Sequence, residues 1–528
     1  MWMRLAAGAA VALVALPILA LIGAAAAGSG DLWPHLLHYV LPHALLETVL
    51  LLASVGALVV LVGSGTAWLV TCYRFPCRHL LSAALVLPLA LPGYVAAYAW
   101  LDVMHPAGPV QMAIRQALGV TDPRAIPLPE IRSLGGCAMV MGMVLFPYVY
   151  LVARVAFRTQ GADILRAGQS TGASGWLLFW RVGLPMARPA IAAGGALALM
   201  ETLNDVGAAE ILGVRTLTVS VYVTWITRSS LPGAAQIALA LLVLVAAVIA
   251  LEHWGREHGT HAVSNPATLE PRPLTRLGGL AAMLACALPT LLGFVVPVAY
   301  LVWAASQRIS EFGLPPDLAA WLGNSARLSV LATMLALMLA LPLAYGARQD
   351  RKPGPGTALL KMGTLGYALP GGVAAVGLII AFGRLDDLTT GWAPVALSGS
   401  MAAVVAAYVI RFLAIPAGGL DAGYARIRKE VDWSAQSMGS SERHLLWRVH
   451  LPLLLPSLSA AALLTFLDAM KELPATLLLR PLNVETLATA LYAEAARGTY
   501  EEGAVAALML ALAGLLFVLL LAVGRVRW

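Results

Sequence analysis

Gly172-Ala-Ser-Gly-Trp-Leu-Leu-Phe-Trp180-Arg181-Val182-Gly-Leu184-Pro185 stands in the first half of the chain. Gly439-Ser-Ser-Glu-Arg-His-Leu-Leu-Trp447-Arg448-Val449-His-Leu451-Pro452 stands in the second. Both follow the frame G-x7-W-R-V-x-L-P. A second pair precedes them in the same order: Leu91-Pro92-Gly93-Tyr94-Val95-Ala96-Ala97, and Leu369-Pro370-Gly371-Gly372-Val373-Ala374-Ala375. Motifs repeated in one order mean a parallel repeat, whose expected symmetry is a pseudo-two-fold axis along the membrane normal.

The solvent for most of this chain is lipid. Of 528 residues, 60% are hydrophobic and only 12% charged, and the mean hydropathy is +0.82. A soluble domain carries about 25% charged residues. Apolar stretches long enough to span a bilayer as helices fall near 5–27, 44–71, 79–103, 135–157, 187–212 and 234–253. A second set falls near 277–305, 323–347, 357–383, 397–418, 453–479 and 503–525. The expected fold is an all-α polytopic membrane protein of about twelve transmembrane helices in two six-helix repeats. The repeats are placed at 1–255 and 276–528, joined by a polar cytoplasmic linker at 256–275. The first apolar run is expected to be a retained span: Arg4 and Leu16-Pro17 reappear as Arg276 and Leu288-Pro289, which a cleaved signal would not explain.

The net charge of +7 is spread over loops, with no basic helix interleaved with aromatics, so nucleic acid is not an expected partner. With both termini cytoplasmic, about 22 of the 34 Lys and Arg fall on the cytoplasmic side. Of the four cysteines, Cys137 and Cys286 sit in apolar stretches, and Cys72 and Cys77 flank Arg74 without further ligands that would complete a metal site.

Each framed segment lies between two spans on the cytoplasmic side, at 160–186 and 427–453, and ends in Leu-Pro. A glycine permits a turn or a close approach, and the proline is expected to stop one helix and start the next. The reading is a short helix across the membrane surface, open to a partner. These residues resemble the EAA loop of type I ABC importer permeases. The resemblance implies that the segments are coupling helices docking into a cytoplasmic ATPase, through Gly172, Trp180, Arg181, Leu184 and Pro185 and through Gly439, Trp447, Arg448, Leu451 and Pro452. The Glu-Ala-Ala opening is replaced by Arg166-Ala167-Gly168 and by Trp433-Ser434-Ala435. No G-x-x-x-x-G-K-[ST] occurs, and none of the four lysines follows a glycine. The chain is therefore expected to be no enzyme and to bind no cofactor. ATP and Mg would sit on the partner ATPase, and two docking loops imply two ATPase copies.

Ionisable groups inside spans are functional candidates by default. After the first loop come Glu201, Asn204 and Asp205; after the second, Asp468, Lys471 and Glu472. Glu201 aligns with Asp468 and Asp205 with Glu472. Spacing i, i+4 puts each acidic pair on one face of a continuous helix, and across the axis four carboxylates could converge on a highly charged cation such as Fe3+. The alternative is a set of hinge or interhelical bonds, with Lys471 neutralising its neighbours. Pro92-Gly93 and Pro370-Gly371 break helices in mid-membrane, as gate elements or as simple kinks. Tyr94, Tyr98 and Asp102 follow the first break, and His43, His105 and His450 are assigned to unrelated loops.

Pro92-Gly-Tyr94-Val-Ala-Ala-Tyr98-Ala-Trp-Leu-Asp102 with Gly108-Pro109-Val110-Gln111, Met200-Glu201-Thr202, Asp205-Val206-Gly207, and Lys471-Glu472-Leu473-Pro474-Ala475-Thr476-Leu477-Leu478-Leu479-Arg480-Pro481 resemble the ferric-iron branch of these permeases. That resemblance implies an inner-membrane importer fed by a periplasmic ferric-binding protein docking on the outer loops. Fused relatives for thiamine, phosphonate or polyamine share much of the pattern. A secondary transporter would also have repeats and buried carboxylates but no need of the duplicated loop. No membrane-enzyme motif such as H-E-x-x-H is present.

Overall fold

The computed structural model describes residues 2–120, 122, 129–159, 175–257, 271–350, 354–389 and 396–524. Among them, nine helices are long and apolar enough to cross a membrane, and three further pairs of helices pass together but are bent at a short break. Counting each bent pair as one span gives the twelve that hydropathy implies. The unbroken spans include Leu5–Ala27, Leu32–Cys72, Leu134–Arg158 and Arg276–Phe312. The bent ones are Arg78–Ala90 with Gly93–Val103, at 96°; Pro355–Ala368 with Gly371–Thr389, at 106°; and Met401–Phe412 with Ala414–Arg426, at 41°. The two sharp bends coincide with the two Leu-Pro-Gly motifs. Leu91 and Leu369 are extended there, and the new helix begins at the glycine.

Four times, a π-helical turn of five residues immediately precedes an X-Pro step. Leu36–Val40 leads into Leu41-Pro42, Phe179–Gly183 into Leu184-Pro185, Leu291–Val295 into Val296-Pro297, and Leu446–His450 into Leu451-Pro452. In each case the residue before the proline donates its N–H to the carbonyl five back. A proline inside an α-helix lacks a donor, and its ring strikes the carbonyl four residues earlier. Widening the preceding turn relieves that conflict while the helix runs on. The expectation that Leu-Pro ends one helix and starts the next is corrected: helix continues through both Pro185 and Pro452.

The chain forms two compact units that do not follow the sequence halves. One contains Met1–Trp33, Val221–Leu239 and Asp317–Thr489; the other contains Pro34–Ser220, Ala240–Pro316 and Ala490–Trp528. Sequence repeat and spatial unit are thus different divisions of the polypeptide. In the first unit the N-terminal helix Trp2–Ala27 packs on Gly371–Thr389 and Leu318–Gln349, with Pro17 against Gly377. In the second unit the turn Leu291–Val295, on the first span of the second half, packs on Leu134–Thr159, with Gly293 against Met143. Small residues at these crossings let backbones approach where lipid supplies no hydrophobic drive for association. In the stretch assigned to the linker, Arg272–Pro273 pairs in parallel with Tyr73–Arg74 as a two-residue strand, so that part is ordered.

Candidate functional site: two framed segments, two helix breaks and their carboxylates

In the second half the framed segment opens with the helix Lys429–Ser437. Gly439 ends it with φ at +80°. Ser440 N–H bonds the Ala435 carbonyl at 3.0 Å and Gly439 N–H the Gln436 carbonyl at 2.9 Å. This is a Schellman cap, which needs a left-handed residue and so favours glycine. Helix then resumes at Glu442 and runs through the π turn to Met470, roughly 40–45 Å at 1.5 Å per residue. The first-half equivalent is described from Gly175 and runs to Asn204. Gly172 and Arg166-Ala167-Gly168 lie outside the described residues.

Exposure repeats through the two frames. Trp180 and Trp447 are exposed, as are Arg181, Arg448, Pro185 and Pro452; Leu184 and Leu451 are half-buried, while Gly183 and His450 are buried. Identical presentation of a Trp-Arg step on two helices is what a pair of matching docking sites requires.

Each long helix ends at the acidic residue that the repeat aligns. Helix Leu184–Asn204 stops, Asp205 is extended, and its carboxylate accepts the Ala208 N–H at 2.8 Å, capping the short helix Val206–Ile211. Helix Leu451–Met470 stops, and Glu472 accepts the Ala475 N–H at 3.2 Å at the start of Pro474–Leu479. Asp205 still closes the last turn of its helix, its N–H bonding the Glu201 carbonyl at 3.1 Å, so that pair keeps one face. Glu472 lies beyond the end of its helix, its N–H bonding the Ala469 carbonyl at 3.3 Å, so Asp468 and Glu472 do not share a continuous helix face. The single spans expected at 187–212 and 453–479 are likewise broken at these acids.

The same acids meet the helix breaks. A side-chain carbon on Gly93 would collide with the Asp205 carboxylate and lie 2.8 Å from the Met141 sulfur. One on Gly371 would collide with the Glu472 carboxylate and lie 3.1 Å from the Arg411 guanidinium. In both units the break that begins at Leu-Pro-Gly and the cap that follows the framed segment are thus one constellation. The glycine leaves room for the carboxylate, which a Cβ would force to shift out of its capping position.

Residues 60–254 match the family model described as binding-protein-dependent transport system inner membrane component. Residues 60–254 belong to that family. Similarity continues through both halves. The chain is 24% identical to the Fe(3+)-transport system permease protein FbpB 2 of Haemophilus influenzae, over 88% of this chain and 87% of that protein. It is 26% identical to a probable ABC transporter permease protein, y4fN, of Sinorhizobium fredii, over 88% and 83%. The molybdenum transport system permease protein ModB of Escherichia coli is 28% identical over 92% of its own length, which covers only 39% of this chain. Along both halves the chain is thus similar to transport permeases, and ModB matches less than half of it.

In the second half the aligned acids are held by ion pairs. Arg411, in the apolar helix Met401–Phe412, forms a buried ion pair with Glu472, the two side chains being 9% and 3% exposed. Lys471 instead pairs Asp468 at 2.8 Å, so it neutralises one of its acidic neighbours and Arg411 the other. Hydropathy alone hides Arg411, but an arginine inside Val409-Ile410-Arg411-Phe412 is itself the signal of an intramembrane functional group. Among the described residues, within each unit, no group of three or more His, Cys, Asp or Glu side chains is placed to hold a metal ion. Asp102 accepts a hydrogen bond from the Tyr300 hydroxyl, and Tyr98 is fully buried.

His450 is not a loop residue. It lies buried in the π turn, with Nε2 2.8 Å from Asp432 Oδ1. Arg348 donates Nε to Asp432 Oδ2 at 3.0 Å and Nη1 to the Tyr424 carbonyl at 3.0 Å. Burial of the Asp432 carboxyl favours its neutral form. The hydrogen bonds from His450 and Arg348, with the Arg348 charge, outweigh that, and the carboxyl is held below the ordinary carboxylate range. This network ties the helix Lys429–Ser437 to Leu318–Gln349 and to the long helix behind it. In the shared frame Gly183 stands where His450 does, so the second segment has a polar strut for which the first lacks the histidine.

Proposed function

We propose that this permease is the translocation subunit of an ATP-driven importer that takes ferric iron from a periplasmic binding protein by alternating access. The observation that carries the substrate is the likeness over nearly nine-tenths of both chains to the Haemophilus Fe(3+)-transport permease. The relatives named for molybdenum and 2-aminoethylphosphonate match over two-fifths of the chain. Two copies of a separate cytoplasmic ATPase would dock on the two exposed Trp-Arg frames. Both termini would then be cytoplasmic, as the Lys and Arg bias favours.

The geometry supports a mechanical route. A movement imposed at a framed segment is carried along a rigid helix of roughly 40 Å to the carboxylate at its far end. That carboxylate abuts the helix break, so displacement of the cap displaces the Leu-Pro-Gly backbone, whose freed carbonyls suit a water-filled cavity. In this scheme Glu201, Asn204 and Asp205, with Asp468, Lys471 and Glu472, border the path as hinge elements. Pro92-Gly93 and Pro370-Gly371 are the gates, and Fe3+ is cargo that passes without a resident site.

Proteoliposomes holding the permease, its ATPase and the binding protein test this. Radiolabelled iron should enter only with ATP on the ATPase side and ferric-loaded binding protein on the other. Uptake of molybdate or a phosphonate in its place would keep the architecture and reject the substrate. Uptake driven by an ion gradient without ATP would reject the importer reading in favour of a secondary transporter.

A further inference from the structure

An apolar crevice of about 430 Å³ runs along the end of the span Leu32–Cys72 where it meets Arg276–Phe312. Trp68, Tyr73, Phe179, Gly278, Ala281 and Ala285 are on its walls. From Gly278 to Ala285 it extends about 10 Å along the span, at 1.5 Å per residue. The concavity arises because one wall is nearly without side chains while the aromatic rings of Trp68 and Phe179 stand off on the other.

Arginines adjoin the residues that line one end of this crevice. Arg74 follows Tyr73 and is exposed; Arg272 pairs in register with Tyr73, and Arg276 begins the opposite wall. Arg78 donates Nε to the Val70 carbonyl at 2.7 Å, and Arg74, Arg154 and Arg158 all lie within electrostatic reach of it. No ion pair of these six arginines is formed among the described residues. Like charges that form no ion pair among the described residues repel one another and favour an anion among them. Guanidinium forks match phosphate oxygens.

We propose that this crevice is a site for an anionic phospholipid, one acyl chain lying between the two spans and the phosphate resting on the arginines. An apolar groove alone would accept any chain, and an arginine cluster alone any anion. Their juxtaposition at the end of two membrane spans selects a molecule with both parts, at the depth where a headgroup sits. The proposal is independent of what the permease transports.

Native mass spectrometry of the full chain in detergent tests it, titrated with phosphatidylglycerol, with phosphatidylcholine of the same chains, and with glycerol phosphate as a headgroup without tails. One phosphatidylglycerol should be held about tenfold more tightly than phosphatidylcholine, as two or more surface arginines imply. Arg74→Ala with Arg158→Ala should erase that preference. Ala281→Trp, filling the crevice, should weaken both lipids while the monodisperse elution of the protein is unchanged. Glycerol phosphate should not compete at equal concentration. Equal binding of the two lipids, or a preference that survives both variants, would overturn the site. Competition by glycerol phosphate with no effect of Ala281→Trp would overturn it too, leaving only a soluble-anion cluster.

Discussion

Gly93 and Gly371 are defined by what stands beside them: a carboxylate in each case. Gly93→Ala and Gly371→Ala should each cost about 1–3 kcal/mol through overpacking. Gly372→Ala should be tolerated, because only Leu478 lies near, at 3.8 Å. Thermal unfolding in detergent and iron uptake, measured on the three variants, separate these outcomes. Equal loss in all three would mean the chain needs flexibility at the break rather than room for the acid. Arg411 and Glu472 are a buried pair, so breaking it from one side should be worse than removing it. Arg411→Met should destabilise by about 3–5 kcal/mol, and adding Glu472→Gln should recover part of that loss. A double-mutant cycle on unfolding reads the coupling, and strict additivity would contradict the pair.

At the scale of elements, the framed segments offer two tests. In the second, Asp432 has a lowered folded pKa, so its contribution is present above the unfolded value and disappears as pH falls through the folded one. The protection of the Lys429–Ser437 amides against hydrogen exchange, relative to their intrinsic rates, should therefore fall on acidification below about pH 4. Asp432→Asn should show the weaker protection already at neutral pH, at a cost of about 1–3 kcal/mol. In both segments the π turn exists because a proline follows. Pro452→Ala removes the ring and restores a donor, so the turn should relax towards α and rotate everything upstream by about 100°. The helix should gain stability while coupling is lost, visible as ATP hydrolysis no longer linked to uptake. An unchanged coupling ratio would show that the π turn does not set the presentation of the frame.

Much of the element level was legible. Twelve spans, both Leu-Pro-Gly breaks and the glycine turn follow from hydropathy, proline and glycine chemistry applied to a duplicated sequence. Two things were not legible at that level. The frame ends in Leu-Pro, and proline chemistry argues for a helix end; only the three-dimensional hydrogen bonding shows a widened turn carrying the helix onward. Hydropathy also argues for a single span through Asp205 and through Glu472; the short apolar helix after each acid, capped by it, is hidden because Val206–Ile211 and Pro474–Leu479 continue the same hydropathic run.

For the whole molecule, the two halves repeat in sequence, yet each compact unit gathers segments from both. No periodicity in a sequence encodes such an exchange, since the first span of either half is equally apolar towards any neighbour. The partners of Asp432 were invisible for a related reason: Arg348, Asp432 and His450 are far apart in the chain and meet only once the helices pack. What the sequence did carry at this scale was the class. Duplicated Trp-Arg frames in a chain with up to twelve spans are what the proposed ATP-coupled permease rests on, together with similarity across both halves to transport permeases. The most direct test is ATP hydrolysis by the permease reconstituted in lipid with its ATPase, with and without binding protein. Ferric-loaded binding protein should stimulate hydrolysis in the wild type and leave it unstimulated in Gly371→Ala. Hydrolysis indifferent to the loaded protein, or an assembly that recruits no ATPase at all, would contradict the account.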